Sequence, residues 1–294
     1  MSDSTTVEFQ LKEFKDRLME YIPETFVFSG IKDKQLKKKI SAVKNRYDQL
    51  VKITDQSKNY RPHCIYDLLF LTDIDSNPNN RYISLLRHIE LTLKEIKKLI
   101  NPALLPKVKD TVVQMLTAVD PKLGSNYQYL NFFAELLGIH FILKNGFNLE
   151  DIERPLPNGK KVDLVFKSED DSSLLYMDLI SYHNIAPDLH RSDDGFKRFL
   201  IQKFNEKIEG KTEGLNSKGQ YLNINGENIP FTILPIIWGD PDSFLKYRDL
   251  IKRLEEELIN VTAIVTLLTE IDDLGNVHYT FTTLSNVLER IATP

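Results

Sequence analysis

Lys161-Val162-Asp163-Leu164-Val165-Phe166 and, beyond a polar break at Asp170-Asp171-Ser172-Ser173, Leu174-Leu175-Tyr176-Met177-Asp178-Leu179-Ile180 are the two runs that decide the fold. Both are short, apolar, rich in β-branched and aromatic side chains, and bounded by turn residues, which is the pattern of paired strands. A turn centred between Asp170 and Asp171 places Asp163 opposite Asp178 and Val165 opposite Tyr176. Directly opposed side chains on antiparallel strands hold their Cβ atoms about 4.5–5.5 Å apart. Two carboxylates that close repel by roughly 4 kcal/mol at an effective dielectric near 20. A cation between them converts the repulsion into attraction, and Mg²⁺ takes hard oxygen ligands while keeping several waters.

Outward from this hairpin, the preceding segment reads as a helix from Asn126 to about Lys144, capped by Ser125 and closed by Asn145-Gly146. Strands are expected at about 148–154, 160–167 and 174–182, followed by a helix at 194–209 and an Ile-rich strand at 230–238. A helix at 242–259, strands at 261–269 and 276–283 and a last helix from about 285 complete the chain, with 214–226 read as polar loop. The order α-β-β-β-α-β-α-β-β-α implies an α/β fold with a mixed central sheet flanked by helices.

Residues 1–120 read as helical throughout, forming an all-α N-terminal region ahead of an α/β domain over 121–294. Leu36, Ile40, Val43, Tyr47, Leu50 and Val51 make one apolar stripe over 32–53. After the Asn-rich turn Ser76-Asn77-Pro78-Asn79-Asn80, a second stripe runs through Ile83, Leu86, Ile89, Leu93 and Ile96 and stops at Asn101-Pro102. Shorter helices are expected near 7–20, 62–71 and 105–118.

With 41% hydrophobic and 27% charged residues, the chain has the composition of an ordinary globular protein rather than a disordered one. It lacks a run of about 18 apolar residues and a basic-then-apolar leader, and its single cysteine, Cys64, excludes an internal disulfide and a cysteine-rich zinc site. A cytoplasmic location and no membrane partner are therefore expected. The net charge of −4 is unevenly spread, with a basic excess in the first 120 residues that peaks at Lys32, Lys34, Lys37, Lys38 and Lys39. Such a run either contacts phosphates or forms a solvated helix face.

The segment from Asn126 to Tyr182 resembles the PD-(D/E)XK restriction-endonuclease-like nuclease superfamily. There, an acid on a leading helix precedes a strand bearing Asp and then a strand bearing Asp/Glu-x-Lys. Glu135 lies mid-helix in Phe132-Phe133-Ala134-Glu135-Leu136-Leu137, Asp163 matches the first strand acid, and Asp178 matches the second. The helix from Phe196 to Ile208, with Gln202 and Lys203, and the Ile233–Trp238 strand fit the elements that follow. The likeness covers about 121–240 and leaves 1–120 unexplained. It implies a nuclease hydrolysing nucleic-acid phosphodiester bonds, with DNA preferred, using Mg²⁺ or Mn²⁺ held by Asp163, Asp178 and Glu135.

Where the family places lysine, this chain has Ile180. The hairpin register puts Lys161 opposite Ile180, so Lys161 is the expected substitute for the missing ammonium, and Lys203 the second candidate. The alternative is a catalytically inactive nuclease-like domain that binds nucleic acid or protein, with the helical N-terminal region engaging a protein partner. A third reading is an unrelated α/β scaffold whose acids are structural. His183 and His190, seven residues apart around Ala186-Pro187, do not have helical ligand spacing and are read as a loop bordering the cleft. Glycine-rich phosphate loops and Ser or Cys nucleophile contexts are absent from the sequence.

Overall fold

The computed structural model describes residues 3–43, 62–72, 80–119, 127–167, 173–182, 193–215, 221–239, 264–283 and 285–286. Expectations for Tyr47, Leu50 and Val51, the cap at Ser125, the turn at Asp170-Asp171, the loop histidines and the helix at 242–259 lie outside these residues, as does most of the last helix. The chain divides into two compact units, one comprising 1–98, 105–136 and 271–278, the other 99–104, 137–270 and 279–294.

The first unit is built on helices α1 (Asp3–Tyr21), α2 (Pro23–Ser29), α3 (Asp33–Ala42), α4 (Ile65–Leu71), α5 (Arg81–Leu99) and α6 (Leu105–Thr117), a 3₁₀ turn at Pro102–Leu104 preceding the last. Leu36 and Ile40 of the first expected stripe, and Leu86, Ile89, Leu93 and Ile96 of the second, are all buried, so the helical period does bury one face. Helix α2 was not anticipated, although Pro23 at its first position and left-handed Gly30 (φ 60°) just past its end are ordinary start and stop signals.

What holds α2 comes from elsewhere in the chain. The Glu90 carboxylate of α5 accepts the N–H groups of Glu24 (2.8 Å) and Thr25 (3.0 Å) and the Thr25 hydroxyl (2.6 Å). Free N–H groups and the helix dipole make this terminus an anion site. Replacing Glu90 by Ala strands two buried donors. It is expected to cost about 2 kcal/mol or more of stability, measured as a lowered urea midpoint at unchanged slope; an unchanged midpoint would show that the cap contributes nothing.

The second unit carries the sheet. Helix α7 (Gln128–Lys144) leads into β1 (Asn148–Pro155), β2 (Lys161–Lys167) and β3 (Leu174–Tyr182), then α8 (Asp193–Thr212), β4 (Tyr221–Ile224), β5 (Glu227–Gly239), β6 (Val265–Ile271) and β7 (Val277–Thr283). The seven strands run in the order β1-β2-β3-β5-β6-β7, with β4 paired to β5 at one end of it. β1, β2 and β3 are antiparallel neighbours, whereas β3–β5 and β5–β6 are parallel. The expected α/β class with a mixed, helix-flanked sheet and a helical N-terminal region is what the chain forms.

Both faces of the hairpin are covered. Val165, Tyr176, Phe231 and Ile233 pack in one cluster with Phe204 of α8. On the other face, a Cβ on Gly138 of α7 would stand 2.7 Å from Leu179, so the absence of a side chain there lets the helix lie close against β3. Asn145-Gly146 ends α7 as expected: Gly146 (φ 78°) and Phe147 donate back to the carbonyls of Leu143 and Ile142.

β4 is a correction to the loop expected over 214–226. Ile224 and Glu227 pair across Asn225 (φ 53°) and Gly226 (φ 89°), a two-residue hairpin turn whose positive φ angles suit that dipeptide. Among the described residues no helix is long and apolar enough to cross a membrane, and the Cys64 side chain is fully buried.

Candidate functional site

The hairpin register is the one the sequence implies: Val165 faces Tyr176, and backbone pairing runs from Lys167–Leu174 to Leu164–Met177. The next residues in that register are Asp163 and Asp178, and there the side chains take over from the ladder. The Asp163 N–H donates to Asp178 Oδ1 (3.0 Å), and the Leu179 N–H donates to Asp163 Oδ2 (2.8 Å). Each carboxylate thus fixes the opposite strand with one oxygen and turns the other, Asp163 Oδ1 and Asp178 Oδ2, toward α8.

Two lysines of α8 meet them. Lys207 Nζ lies 3.5 Å from Asp163 Oδ2 and 3.4 Å from Asp178 Oδ2. Lys211 Nζ lies 3.5 Å from Asp163 Oδ1 and 3.0 Å from Asp178 Oδ2, and also donates to the Lys161 carbonyl. Asp178 is fully buried, while the Asp163 and Lys207 side chains are 25% and 31% exposed, so the cluster opens to solvent at their edge.

Burial and the neighbouring Asp163 carboxylate push the Asp178 carboxyl above its ordinary range, against the pull of Lys207 and Lys211. Burial alone would lower the Lys207 ammonium, but Asp163 and Asp178 together outweigh it and hold it above its usual range. Asp178 Oδ2 is buried, and the groups facing it are the two ammoniums, Lys211 at 3.0 Å and Lys207 at 3.4 Å. The cluster is charge-balanced, two acids against two cations.

Of the expected site residues, Asp163 and Asp178 come together and two do not join them. Lys161 is turned to Glu153 of β1, 2.9 Å away, with its side chain 55% exposed, and only its backbone carbonyl reaches the cluster. An accessible carboxylate on the adjoining strand outcompetes a pair already neutralised by α8. Glu135 belongs to the other compact unit, where Thr111 Oγ1 of α6 donates to its Oε2 (3.4 Å). Among the described residues no group of three or more His, Cys, Asp or Glu side chains converges as a metal-binding set. Lys203 also misses: it pairs with Glu206 at 2.8 Å, and Gln202 binds that same carboxylate.

Lys207 and Lys211 went unnoticed in the sequence, but a signal for them exists. Phe204, Lys207, Ile208, Lys211 and Leu215 follow the spacing of one buried helical face, with two lysines where apolar residues belong. Ile180, in the slot where the resembled family has lysine, packs against the core cluster that includes Phe204 of α8. Ile180 thus fills the strand position with an apolar, half-buried side chain, and the cations that meet the acids come from the helix.

Fold and site together define an α/β protein with an acid–lysine cluster buried at the end of a hairpin. No family model matches the chain, and no curated protein does. Among solved structures, the Pyrococcus furiosus SfsA in complex with Ca²⁺ is similar at a TM-score of 0.21 and 10% identity, over 51% of this chain. The matched region spans 60% of that protein's length.

Proposed function

We propose that this chain is a divalent-metal-dependent nuclease of the PD-(D/E)XK type, hydrolysing phosphodiester bonds of nucleic acid, DNA foremost. The observation that carries the reading is the convergence of Asp163 and Asp178 with Lys207 and Lys211 on one end of the β2–β3 hairpin. The residues suit a small hard cation: Asp163 Oδ1 and Asp178 Oδ2, the two carboxylate oxygens not used by the backbone, both face the Lys211 ammonium and so converge on one cationic position. Mg²⁺ needs few protein ligands because it keeps several waters. Asp163 and Asp178 would hold it; bound there, such an ion lowers the pKa of a coordinated water and neutralises charge on the scissile phosphate.

The lysines divide the remaining work. Lys207, at the exposed edge beside Asp163, presents its ammonium to a phosphate oxygen as negative charge develops. Lys211, more deeply buried, pairs with Asp178 and ties the hairpin to α8 through the Lys161 carbonyl. Glu135 and Lys161 are given no role in this scheme.

The charge balance of the cluster favours a second reading, a silent nuclease-like domain that binds nucleic acid without cutting it. Incubating the full chain with supercoiled plasmid, linear duplex and single-stranded RNA in Mg²⁺, Mn²⁺ or EDTA separates the two. Strand cleavage is expected only with metal and faster on DNA. Mn²⁺ binding without cleavage leaves the binding module, and absence of both makes the cluster structural.

A further inference from the structure

We infer that α3 and the residues beside it form a cationic surface on the helical unit that takes the phosphate backbone of a duplex nucleic acid. The inference rests on the nuclease reading for the choice of polyanion.

Five lysines, Lys32, Lys34, Lys37, Lys38 and Lys39, crowd the start and body of α3, whose single acid is Asp33. That acid is already spent: Lys15 Nζ of α1 lies 3.0 Å from its Oδ1. Lys109 of α6 adds to the same surface, its ammonium lying 2.8 Å from where a Cβ on Gly30 would stand, at the junction leading into α3. Lys32, Lys34, Lys38 and Lys109 are exposed, and among the described residues they form no ion pair.

Folding does not ask for this arrangement. Leu36, Ile40 and Val43 supply the buried face of the segment, and each is nearly inaccessible. Cations at Lys32 and Lys34 oppose the positive end of the helix dipole. Lys34 and Lys38, one turn apart, repel each other where an acid at either position would attract. A surface that costs stability in the free protein, and whose Lys32, Lys34, Lys38 and Lys109 have no ion-pair partner among the described residues, is accounted for by an external anion.

The dimensions suit a nucleic-acid backbone. Residues 32–39 span about 10 Å at 1.5 Å per helical residue, against a duplex charge every ~1.7 Å of axis. Lysines are point cations on flexible stems that meet phosphates without reading bases. Binding is therefore expected to be independent of sequence and steeply salt-dependent.

The test is fluorescence anisotropy of a labelled duplex with the full chain in EDTA, comparing wild type with K34E/K38E/K109E. The triple variant is expected to bind about tenfold more weakly or worse, with a salt slope shallower by roughly 2–3. K34Q/K38Q/K109Q is expected to lose less in the same direction while keeping the helical circular dichroism of wild type. Wild-type affinity in the reversed variant overturns the inference, as does wild-type protein that prefers phosphatidylserine vesicles to duplex. Lysine-dependent binding by a chain that shows no metal-dependent cleavage defeats the nuclease reading and leaves this surface standing.

Discussion

Replacing Asp178 by Asn is expected to abolish metal-dependent cleavage, by about 10³-fold or more. The amide keeps the oxygen that accepts the Asp163 N–H but cannot offer a charged ligand at the Oδ2 position. The pH dependence of this group's contribution to stability follows from the raised pKa of the carboxyl. Its contribution to stability is greatest below the ordinary value of 3.8, falls as pH rises from there through the folded pKa, and stays low above it. At neutral pH the burial of the carboxylate and its attraction to Lys207 and Lys211 oppose one another, and Asp163 still faces both lysines, so the variant in EDTA is expected to lose less stability than Lys211→Met. Metal separates the two proteins: a ligand at a hundred times its Kd stabilises by about 2.7 kcal/mol, or roughly 5–10 °C for a domain of this size. Wild type should show that shift with Mg²⁺ or Mn²⁺, and Asp178→Asn should not. An identical metal shift in both proteins would remove Asp178 from any metal site.

Lys211→Met is the second large effect, and it acts on folding as well as chemistry. The Lys211 side chain is 15% exposed and its ammonium lies 3.0 Å from a carboxylate with no exposure at all. Removing one partner of such a buried pair leaves an uncompensated charge and costs about 3–5 kcal/mol. The change should appear as a large fall in the urea midpoint that shrinks at low pH, where Asp178 takes up a proton. Activity is expected to fall about 10²–10³-fold. Lys207→Met, at the exposed edge, should lose comparable activity with a smaller stability loss, whereas Lys161→Ala should cut at the wild-type rate because its ammonium belongs to Glu153. Full activity in both Lys207→Met and Lys211→Met would end the assignment of these lysines.

The hairpin was legible because its information is local. Alternation of apolar residues and a polar break between the runs set strand, turn and register, so Asp163 and Asp178 fell opposite one another before any coordinates. Helices α5 and α6 were legible for the same reason, each having one apolar face, and α7 was legible from its length of apolar sequence and the Asn145-Gly146 stop. β4 was missed by weighing the polar composition of 214–226 above the Asn225-Gly226 pair, the stronger signal for a two-residue turn. Lys161 was favoured because register alone placed it near the acids; register says which side a residue occupies, not which carboxylate its long side chain will choose.

By itself the sequence determined the α/β class, the helical first part, the pairing of the two aspartates and the absence of lysine at position 180. Period and turn chemistry specify these, and both act over a few neighbouring residues. Only the tertiary structure decided where the positive charge comes from. α8 lies across β2 and β3, packing beside the half-buried Ile180 and bringing Lys207 and Lys211 onto the carboxylates. That choice depends on how a helix packs over strands roughly thirty to fifty residues away in the chain, a distance at which the number of competing partners, rather than any local preference, sets what the chain must resolve by folding.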